Sequence, residues 1–149
     1  MPGSQPLRDK LVEIALAWER RFGVAPSVTS AISEFDAANL VGHTEDSFSE
    51  DCAHRTAVTR GHDFTCGGVR YQVKANRPSG KPGSFVTWVS KVKNYEWDRL
   101  IWLLYDRDYL VQEAWEWTMI EYRAAFGKKK RLSPEDMRRG RRLYPRDAV

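Results

Sequence analysis

The chain opens with a stretch in which apolar residues return every three or four positions. From residue 7 to residue 22 this spacing predicts a helix with one apolar stripe, and Gly23 and Pro26 end it. The stripe consists of Leu7, Leu11, Ile14, Ala15, Trp18 and Phe22. Because the stripe carries no chemically reactive group, we expect this helix to serve packing or contact with a second copy.

A second helix is predicted to begin between Ser27 and Ser30 and to end at Gly42. Its buried side is expected to hold Ala31, Ile32, Phe35, Ala38 and Leu40 or Val41. Glu34 and Asp36 are expected at the flanks of that side, among alanines small enough to allow close packing on a sheet. The pattern alone leaves open whether Glu34 is functional or simply solvated.

Residues 43–61 are polar and show no clear period, so either a short strand or a short helix remains open around residues 53–58. A connection of this length favours a functional or mobile loop. All three histidines and both cysteines lie between His43 and Cys66. We considered a zinc site made of Cys52, His54, His62 and Cys66, but its spacings are unlike the close ligand pairs of structural zinc sites.

The second half of the chain is predicted to form strands followed by helices. A hairpin is predicted over residues 63–74, with its turn at Gly67-Gly68, and the nearly all-apolar run from Arg99 to Tyr105 predicts a buried central strand. A further strand over residues 109–117 should pair back on it and place Trp115 and Trp117 on one face.

Two more helices are predicted to follow. The first has Thr118 as its N-cap and Gly127 as its end. The second begins at Ser133-Pro134 and carries Arg138, Arg139, Arg141 and Arg142. We therefore expect a single α/β domain over residues 1–149, with a mixed sheet of about four strands flanked by helices.

Composition and charge narrow the class of protein. The 42% of hydrophobic residues suffices for a core, but no apolar run approaches the ~20 residues that cross a bilayer, so no membrane partner is expected. The first residues lack the apolar segment of a signal peptide, and we expect a cytoplasmic protein. The net charge is +4, and residues 127–149 form a basic extension with nine Lys or Arg against three acids. This extension suits contact with a phosphate backbone, although a solvated surface remains equally open.

The candidate chemistry lies in the hairpin. Gln72 and Lys74 are two residues apart on a strand and share a face, and Asp63 is one short hairpin away. An acid, an amide oxygen and a lysine at one sheet edge suit a Mg²⁺ site that acts on phosphate. The loop that follows combines basic, hydroxyl and aromatic groups, which suits a nucleic-acid groove beside such a site. Its candidate DNA contacts are Arg77, Lys81, Ser84, Thr87, Lys91 and Lys93.

Asp63 and the run Gln72-Val73-Lys74 resemble the D-xn-(E/Q)-x-K signature of the PD-(D/E)XK nuclease superfamily, over roughly residues 27–126. The resemblance extends to small restriction endonucleases, Holliday junction resolvases and Mrr-like domains. It implies a restriction-endonuclease-like αβββαβ core and a DNA endonuclease that needs Mg²⁺ or Mn²⁺. In a chain without a separate recognition domain it also implies a homodimer, with one active site for each DNA strand.

The resemblance assigns roles residue by residue. Asp63, Gln72 and the backbone carbonyl of Val73 would hold the metal, and Glu34 would complete the site as the helix carboxylate of resolvase-like members. Lys74 would orient or activate the attacking water. Gln72 departs from the usual glutamate, and this leaves room for a DNA-binding module that no longer cleaves. A protein–protein adaptor that uses the tryptophans between residues 88 and 117 is the third possibility.

Overall fold

The computed structural model describes residues 6–55 and 61–146. Its helices are α1 (Pro6–Phe22), α2 (Thr29–Leu40), α3 (Glu45–His54), α4 (Met119–Phe126) and α5 (Pro134–Met137). Its strands are β1 (Phe64–Cys66), β2 (Val69–Asn76), β3 (Arg99–Tyr105), β4 (Val111–Thr118) and β5 (Arg141–Tyr144). The predicted α/β class, with a mixed sheet flanked by helices, is confirmed.

The strands form one sheet in the order β1-β2-β3-β4-β5. Strands β2 and β3 are parallel, and every other neighbouring pair is antiparallel. The sheet has five strands where about four were expected, and four strands precede α4 where the αβββαβ order has three before its second helix. Because β2 and β3 are parallel, residues 77–98 cross from the end of β2 to the start of β3.

Each face of the sheet carries its own apolar cluster. On the face covered by α1 and α2, Ile32 packs with Val73 of β2 and Ile101 of β3. The opposite face is covered by α4 and by the segment around Trp97, with Trp102 and Trp117 in its centre. The alternation of side chains along β3 explains this division, since successive residues point to opposite faces.

Only part of the predicted apolar stripe of α1 is buried: Ala15 belongs to the core and Leu11 packs against it. Leu7, Ile14, Trp18 and Phe22 are 66%, 63%, 49% and 61% exposed. The inward face instead follows Arg8, Val12, Ala15 and Glu19, which recur at helical steps of four, three and four. Arg8 and Glu19 bind partners elsewhere in the chain, and these ion pairs set the rotation of the helix.

Asp36 of α2 is also placed differently from the prediction. It was expected at the flank of the buried side, but its side chain is fully buried. Its carboxylate accepts hydrogen bonds from Arg8 Nε at 3.1 Å, Arg8 Nη2 at 3.0 Å and the Tyr105 hydroxyl at 2.6 Å. Ala31, expected to be buried, is exposed. The buried side of α2 is therefore rotated toward Asp36 by a polar cluster that hydrophobic periodicity does not reveal.

The ambiguous stretch after residue 43 forms a helix, but earlier than expected. Helix α3 ends at His54, residues 56–60 lie outside the described part, and only the start of the 53–58 window can be compared. Thr44 and Ser47 form a capping box at its N-terminus. This cap, rather than an apolar period, is the local signal for the helix.

The prediction of a basic final helix is wrong. The cap at Ser133 and Pro134 does start a helix, but α5 ends at Met137 after a single turn. Arg141 and Arg142 lie instead on β5, paired with Glu116 and Trp115 of β4. The chain passes so close to Trp117 at Gly140 that an added Cβ would lie 2.5 Å from the indole Nε1. The turn at Gly140 therefore places Arg141 and Arg142 at the edge of the sheet.

Within the described ranges, none of the helices combines the length and the apolar character needed to cross a lipid bilayer.

Candidate active site

The hairpin fixes Asp63 at an edge of the sheet. Gly67 and Gly68 have positive φ angles of 58° and 78°, the left-handed conformation of a two-residue hairpin turn. Strand β1 has only three residues, so β2 continues beyond it without a partner on that side. Asp63 occupies this position: its backbone N–H donates to the Tyr71 carbonyl at 2.7 Å, and its Oδ2 accepts from the Val73 N–H at 2.8 Å.

A cavity of about 320 Å³ opens at this edge. The predicted site residues Glu34, Asp63, Gln72 and Lys74 all line it, together with Val73. The remaining lining residues are Thr29, Ser30, Ser33, Ala75 and Ser90. The structure thus brings the N-terminal half of α2 and the free edge of β2 to one site, although Glu34 and Lys74 are 40 residues apart in the sequence.

The pKa values of both carboxyl groups of the cavity are raised, and burial is the first cause in each case. Burial, and then the negative charge of Asp63, raise the pKa of Glu34 to about 7. Burial also raises the pKa of Asp63, even though the Val73 N–H and the Lys74 ammonium favour its charged form. Two carboxylates in a partly dry cavity are therefore short of compensating positive charge.

Lys74 is the basic member of the cavity. Burial lowers its pKa, and the positive charge of Lys93 acts in the same direction, while Asp63 opposes both. A lysine in this environment releases its proton more readily than one at the surface. Lys74 can therefore either stabilise negative charge or accept a proton, according to what enters the cavity.

Arg55 is a neighbour that the sequence analysis missed. Its Nη1 lies 3.7 Å from Glu34 Oε1, and its buried Nε lacks a hydrogen-bond partner. That Nε lies 3.8 Å from Asp51 Oδ2. Because Arg55 follows a helix without apolar period, its position gave no signal in the sequence. Ser90, on the crossing segment between β2 and β3, also lines the cavity and was not predicted, because no sequence pattern in that segment singles it out.

The donor set of the cavity fits a magnesium ion. Mg²⁺ is typically bound by one or two carboxylates and keeps several waters, so Glu34 and Asp63 with two neutral oxygens suffice. A dication would also favour the charged form of Glu34, whose pKa is raised by burial and then by the negative charge of Asp63. Among the described residues no group of three or more His, Cys, Asp or Glu side chains is placed to hold a metal, and this applies equally to the zinc set considered above.

The zinc candidates make other contacts. His54 Nδ1 contacts the Glu50 carbonyl at 3.0 Å, and Cys66 Sγ lies 3.7 Å from the Val41 carbonyl. His43, the third histidine, bridges Ser47 and the Thr65 carbonyl. His54, on α3, and Cys66, on β1, thus have separate partners.

Two of the predicted DNA-contacting arginines are engaged inside the protein. The side chain of Arg77 is only 6% exposed, and it binds both carboxylate oxygens of Glu19 at 2.8 Å. Arg138 binds Glu113 through two hydrogen bonds of 2.6 and 3.0 Å. These ion pairs tie α1 and β4 to their neighbours, so both guanidinium groups already have partners within the protein.

The other predicted contacts form two groups. Lys81, Ser84, Thr87 and Lys93 are exposed on the crossing segment that leads to the cavity, and Lys91 donates to the Gly127 carbonyl at 3.2 Å. Arg139 lies over the Phe126 ring, while Arg141 and Arg142 belong to β5 at the far edge of the sheet. The predicted DNA-binding residues thus do not form one continuous surface.

No protein-family model matches this chain, and no curated protein is significantly similar to it in sequence. A functional argument therefore rests on the geometry and chemistry of the cavity.

Proposed function

We propose that this protein is a Mg²⁺-dependent DNA endonuclease that hydrolyses phosphodiester bonds at the cavity between α2 and β2. The observation that carries the proposal is the convergence of Glu34, Asp63, Gln72 and Lys74 on one open cavity. Structural ion pairs elsewhere in the molecule pair opposite charges at short distance. In this cavity burial, and then the negative charge of Asp63, raise the pKa of Glu34, and perturbed pKa values of this kind are typical of functional sites.

Glu34 and Asp63 would supply the charged ligands of the metal, and Gln72 and the Val73 carbonyl would supply neutral oxygens. When bound, the metal acts as a Lewis acid that polarises the scissile phosphate and lowers the pKa of water. The hydrogen bond from the Val73 N–H holds Asp63 Oδ2 in place. The aspartate therefore needs little reorganisation to present its other oxygen to a ligand.

Lys74 would act on the attacking water and on the phosphate. Its Nζ donates hydrogen bonds to a water and to a non-bridging phosphate oxygen, where negative charge develops during the reaction. The partial burial of Lys74 strengthens this interaction because fewer waters compete for its ammonium. The lowered pKa of Lys74 also permits it to exchange a proton with the water.

The exposed crossing segment would guide DNA to the cavity. Lys81 and Lys93 offer positive charge to the phosphate backbone, and the aromatic rings of Phe85 and Trp88 are 78% and 57% exposed. Exposed rings of this kind stack on bases. The apolar face of α1, formed by Leu7, Ile14, Trp18 and Phe22, provides a surface on which a second copy would bring a second active site to a duplex.

A non-cleaving DNA-binding protein is the second candidate, and Gln72 is the observation that favours it. An amide oxygen is a weaker ligand for Mg²⁺ than a carboxylate, so this site has one negative charge fewer than a site with glutamate there. The same exposed lysines would still bind a phosphate backbone. The two candidates differ only in whether a bond is cut.

The test is cleavage of supercoiled plasmid DNA in Mg²⁺ or Mn²⁺. We expect nicked or linear product from the native protein, and a loss of at least 100-fold in rate for Lys74→Ala and Asp63→Asn. Lys128→Ala, which removes an exposed lysine of the loop after α4, is the matched control and should leave the rate unchanged. If Lys74→Ala cuts as fast as the native protein, the site assignment is wrong. If the native protein binds DNA without cutting it, the non-cleaving candidate replaces the nuclease.

A further inference from the structure

An exposed tryptophan lies beside the candidate active site, on the segment that crosses from β2 to β3. Trp88 is 57% exposed, whereas the next residue, Val89, is buried and forms an isolated antiparallel bridge with Leu132. Because side chains alternate across extended backbone, Trp88 and Ser90 lie on the side opposite to Val89. Ser90 lines the cavity that holds Lys74. Two residues of extended backbone span roughly 7 Å, so Trp88 is a close neighbour of that cavity.

The backbone of Trp88 is held in place although its ring is exposed. The Asn76 Nδ2 donates a hydrogen bond to the Trp88 carbonyl at 3.1 Å. Asn76 is itself fixed, because its Oδ1 accepts a hydrogen bond at 2.9 Å from Nε1 of the fully buried Trp102. Asn76 follows Lys74 by two positions on β2 and shares its face of the strand. The place of Trp88 is therefore tied to the strand that carries the candidate catalytic lysine.

Positive charge lies between Trp88 and the start of β3. Lys91 follows Trp88 by three positions and donates through Nζ to a backbone carbonyl, which leaves its charge in place. Burial lowers the pKa of Lys74 and the positive charge of Lys93 adds to this effect, so Lys93 acts electrostatically at the cavity. The acids of the turn between β3 and β4 instead share a pocket with residues 82–84, earlier in the segment. The surroundings of Trp88 on the cavity side thus favour an anionic ligand that also has an apolar face.

A nucleotide combines these properties, because its phosphate is anionic and its base is flat and stacks on aromatic rings. In a continuous duplex both faces of each base are covered by its neighbours, so a ring on the protein reaches only a base that has left the stack. We propose that Trp88 is a stacking platform for an unpaired base, and that the nucleic acid is single-stranded where it enters the cavity. This rests on the proposed function, because the phosphate of the same strand is taken to lie in the cavity.

The test measures binding in EDTA, so that cleavage does not contribute. Fluorescence anisotropy compares three labelled ligands: a thymidine strand of about 20 nucleotides, a strand of the same length made entirely of abasic sites, and a blunt duplex of the thymidine strand with its complement. The thymidine and abasic strands have the same phosphates and differ only in their bases. The ratio of their affinities therefore reports contacts with bases and not with the backbone.

Trp88→Ala is the decisive variant, and Trp18→Ala, which removes an exposed indole from α1, is its matched control. The native protein should bind the thymidine strand at least fivefold more tightly than the abasic strand, the lower limit for one stacked base. Trp88→Ala should bring this ratio close to one without weakening the binding of the abasic strand or the duplex. Trp18→Ala should keep the ratio, and Trp88→Phe, which retains a ring, should keep part of it. Circular dichroism checks that each variant is folded.

The outcomes separate a base contact from other roles of the ring. A ratio near one in the native protein, or a ratio that Trp88→Ala retains, would overturn the proposal. Losses of the same size for all three ligands in Trp88→Ala would show that the ring supports binding without touching a base, and would overturn it as well. If the native protein has the expected ratio but does not cut plasmid DNA, the nuclease is rejected and the stacking site stands. If it cuts plasmid DNA but shows no preference for bases, the nuclease stands and the stacking site is rejected.

Discussion

Two carboxylates of α2, two residues apart, stand in opposite surroundings. Asp36 is fully buried and its charge is met by Arg8 and by the Tyr105 hydroxyl, through three hydrogen bonds of 2.6 to 3.1 Å. Glu34 lies at the cavity, where Arg55 comes no closer than 3.7 Å and a second carboxyl group, Asp63, is nearby. Burial alone would single out Asp36. What distinguishes Glu34 is that Arg55 offsets its charge only in part, since its pKa is still raised.

This difference has a physical meaning. A buried charge with a full set of partners stabilises one arrangement of the chain, because any change leaves a charge unpaired in a low dielectric. A half-buried charge that is only partly compensated is unfavourable in the folded protein and becomes more favourable when a cation binds. The Asp36 cluster therefore belongs to the fold, whereas we propose that the pair of Glu34 and Asp63 binds a cation.

The largest expected effect comes from removing the carboxylate of the structural cluster. Asp36→Ala leaves the nearly buried Arg8 guanidinium and the Tyr105 hydroxyl without their acceptor, and we expect a loss of about 3–5 kcal/mol in the free energy of unfolding. Glu34→Ala, the matched control on the same helix, should change it by no more than about 1 kcal/mol or raise it. Urea denaturation at pH 8 measures both. Equal losses of unfolding free energy for Asp36→Ala and Glu34→Ala would contradict the difference between the two carboxylates.

The next effect is a pH dependence confined to Glu34. Its pKa is about 7 in the folded protein against an ordinary value of 4.5, so the folded state binds the proton more tightly than the unfolded chain. Stability therefore falls as the pH rises from about 4.5 to 7, by an amount on the order of 3 kcal/mol. Glu34→Gln cannot ionise and should lose this dependence.

The measurement is the difference in unfolding free energy between Glu34→Gln and the native protein, in EDTA. It should be near zero at pH 4.5 and should favour Glu34→Gln by about 2–3 kcal/mol at pH 8. The difference removes the contributions of all other titrating groups. A difference that is constant across this range would mean that Glu34 titrates as an ordinary surface glutamate.

The smallest effect concerns Arg55, the cation nearest to Glu34. Arg55 lowers the pKa of Glu34, so Arg55→Ala should raise that pKa further and cost at most about 1 kcal/mol of stability at pH 8. Arg55→Lys keeps the charge and should preserve the pKa better than Arg55→Ala does. A carboxyl NMR titration resolves the two variants. A lower pKa in Arg55→Ala would contradict the charge arrangement described above.

Sequence patterns predicted much of this fold because several elements carry their signals locally. The two glycines at residues 67 and 68 specify the hairpin, the apolar run of β3 specifies a central strand, and the capping box of Thr118 specifies the start of α4. The grouping of Asp63, Gln72 and Lys74 was also accessible, because a hairpin and the period of a strand place them near one another. That Glu34 joins these three residues was predicted only from the resemblance to a known family, and not from any local pattern.

The elements that were missed depend on contacts between distant residues. The burial of Asp36 requires Arg8 and Tyr105, which lie 28 and 69 positions away in the sequence. The rotation of α1 likewise follows ion pairs and not its apolar stripe. At the C-terminal end, the arginines after Gly140 were predicted to lie on a helix. They lie on a strand because they pair with β4, which is distant in the sequence. Hydrophobic periodicity describes how an element faces a core, and it contains no information on polar partners far along the chain.

One measurement tests the central claim, that Glu34 and Asp63 form a carboxylate pair which accepts a divalent cation. Carbon-detected NMR follows the carboxyl group of Glu34 through a pH titration, first in EDTA and then in 10-fold excess Mg²⁺. The account predicts an apparent pKa near 7 without metal, a fall of more than one unit with Mg²⁺, and the loss of that fall in Asp63→Asn. An apparent pKa near 4.5 that Mg²⁺ does not change would contradict it.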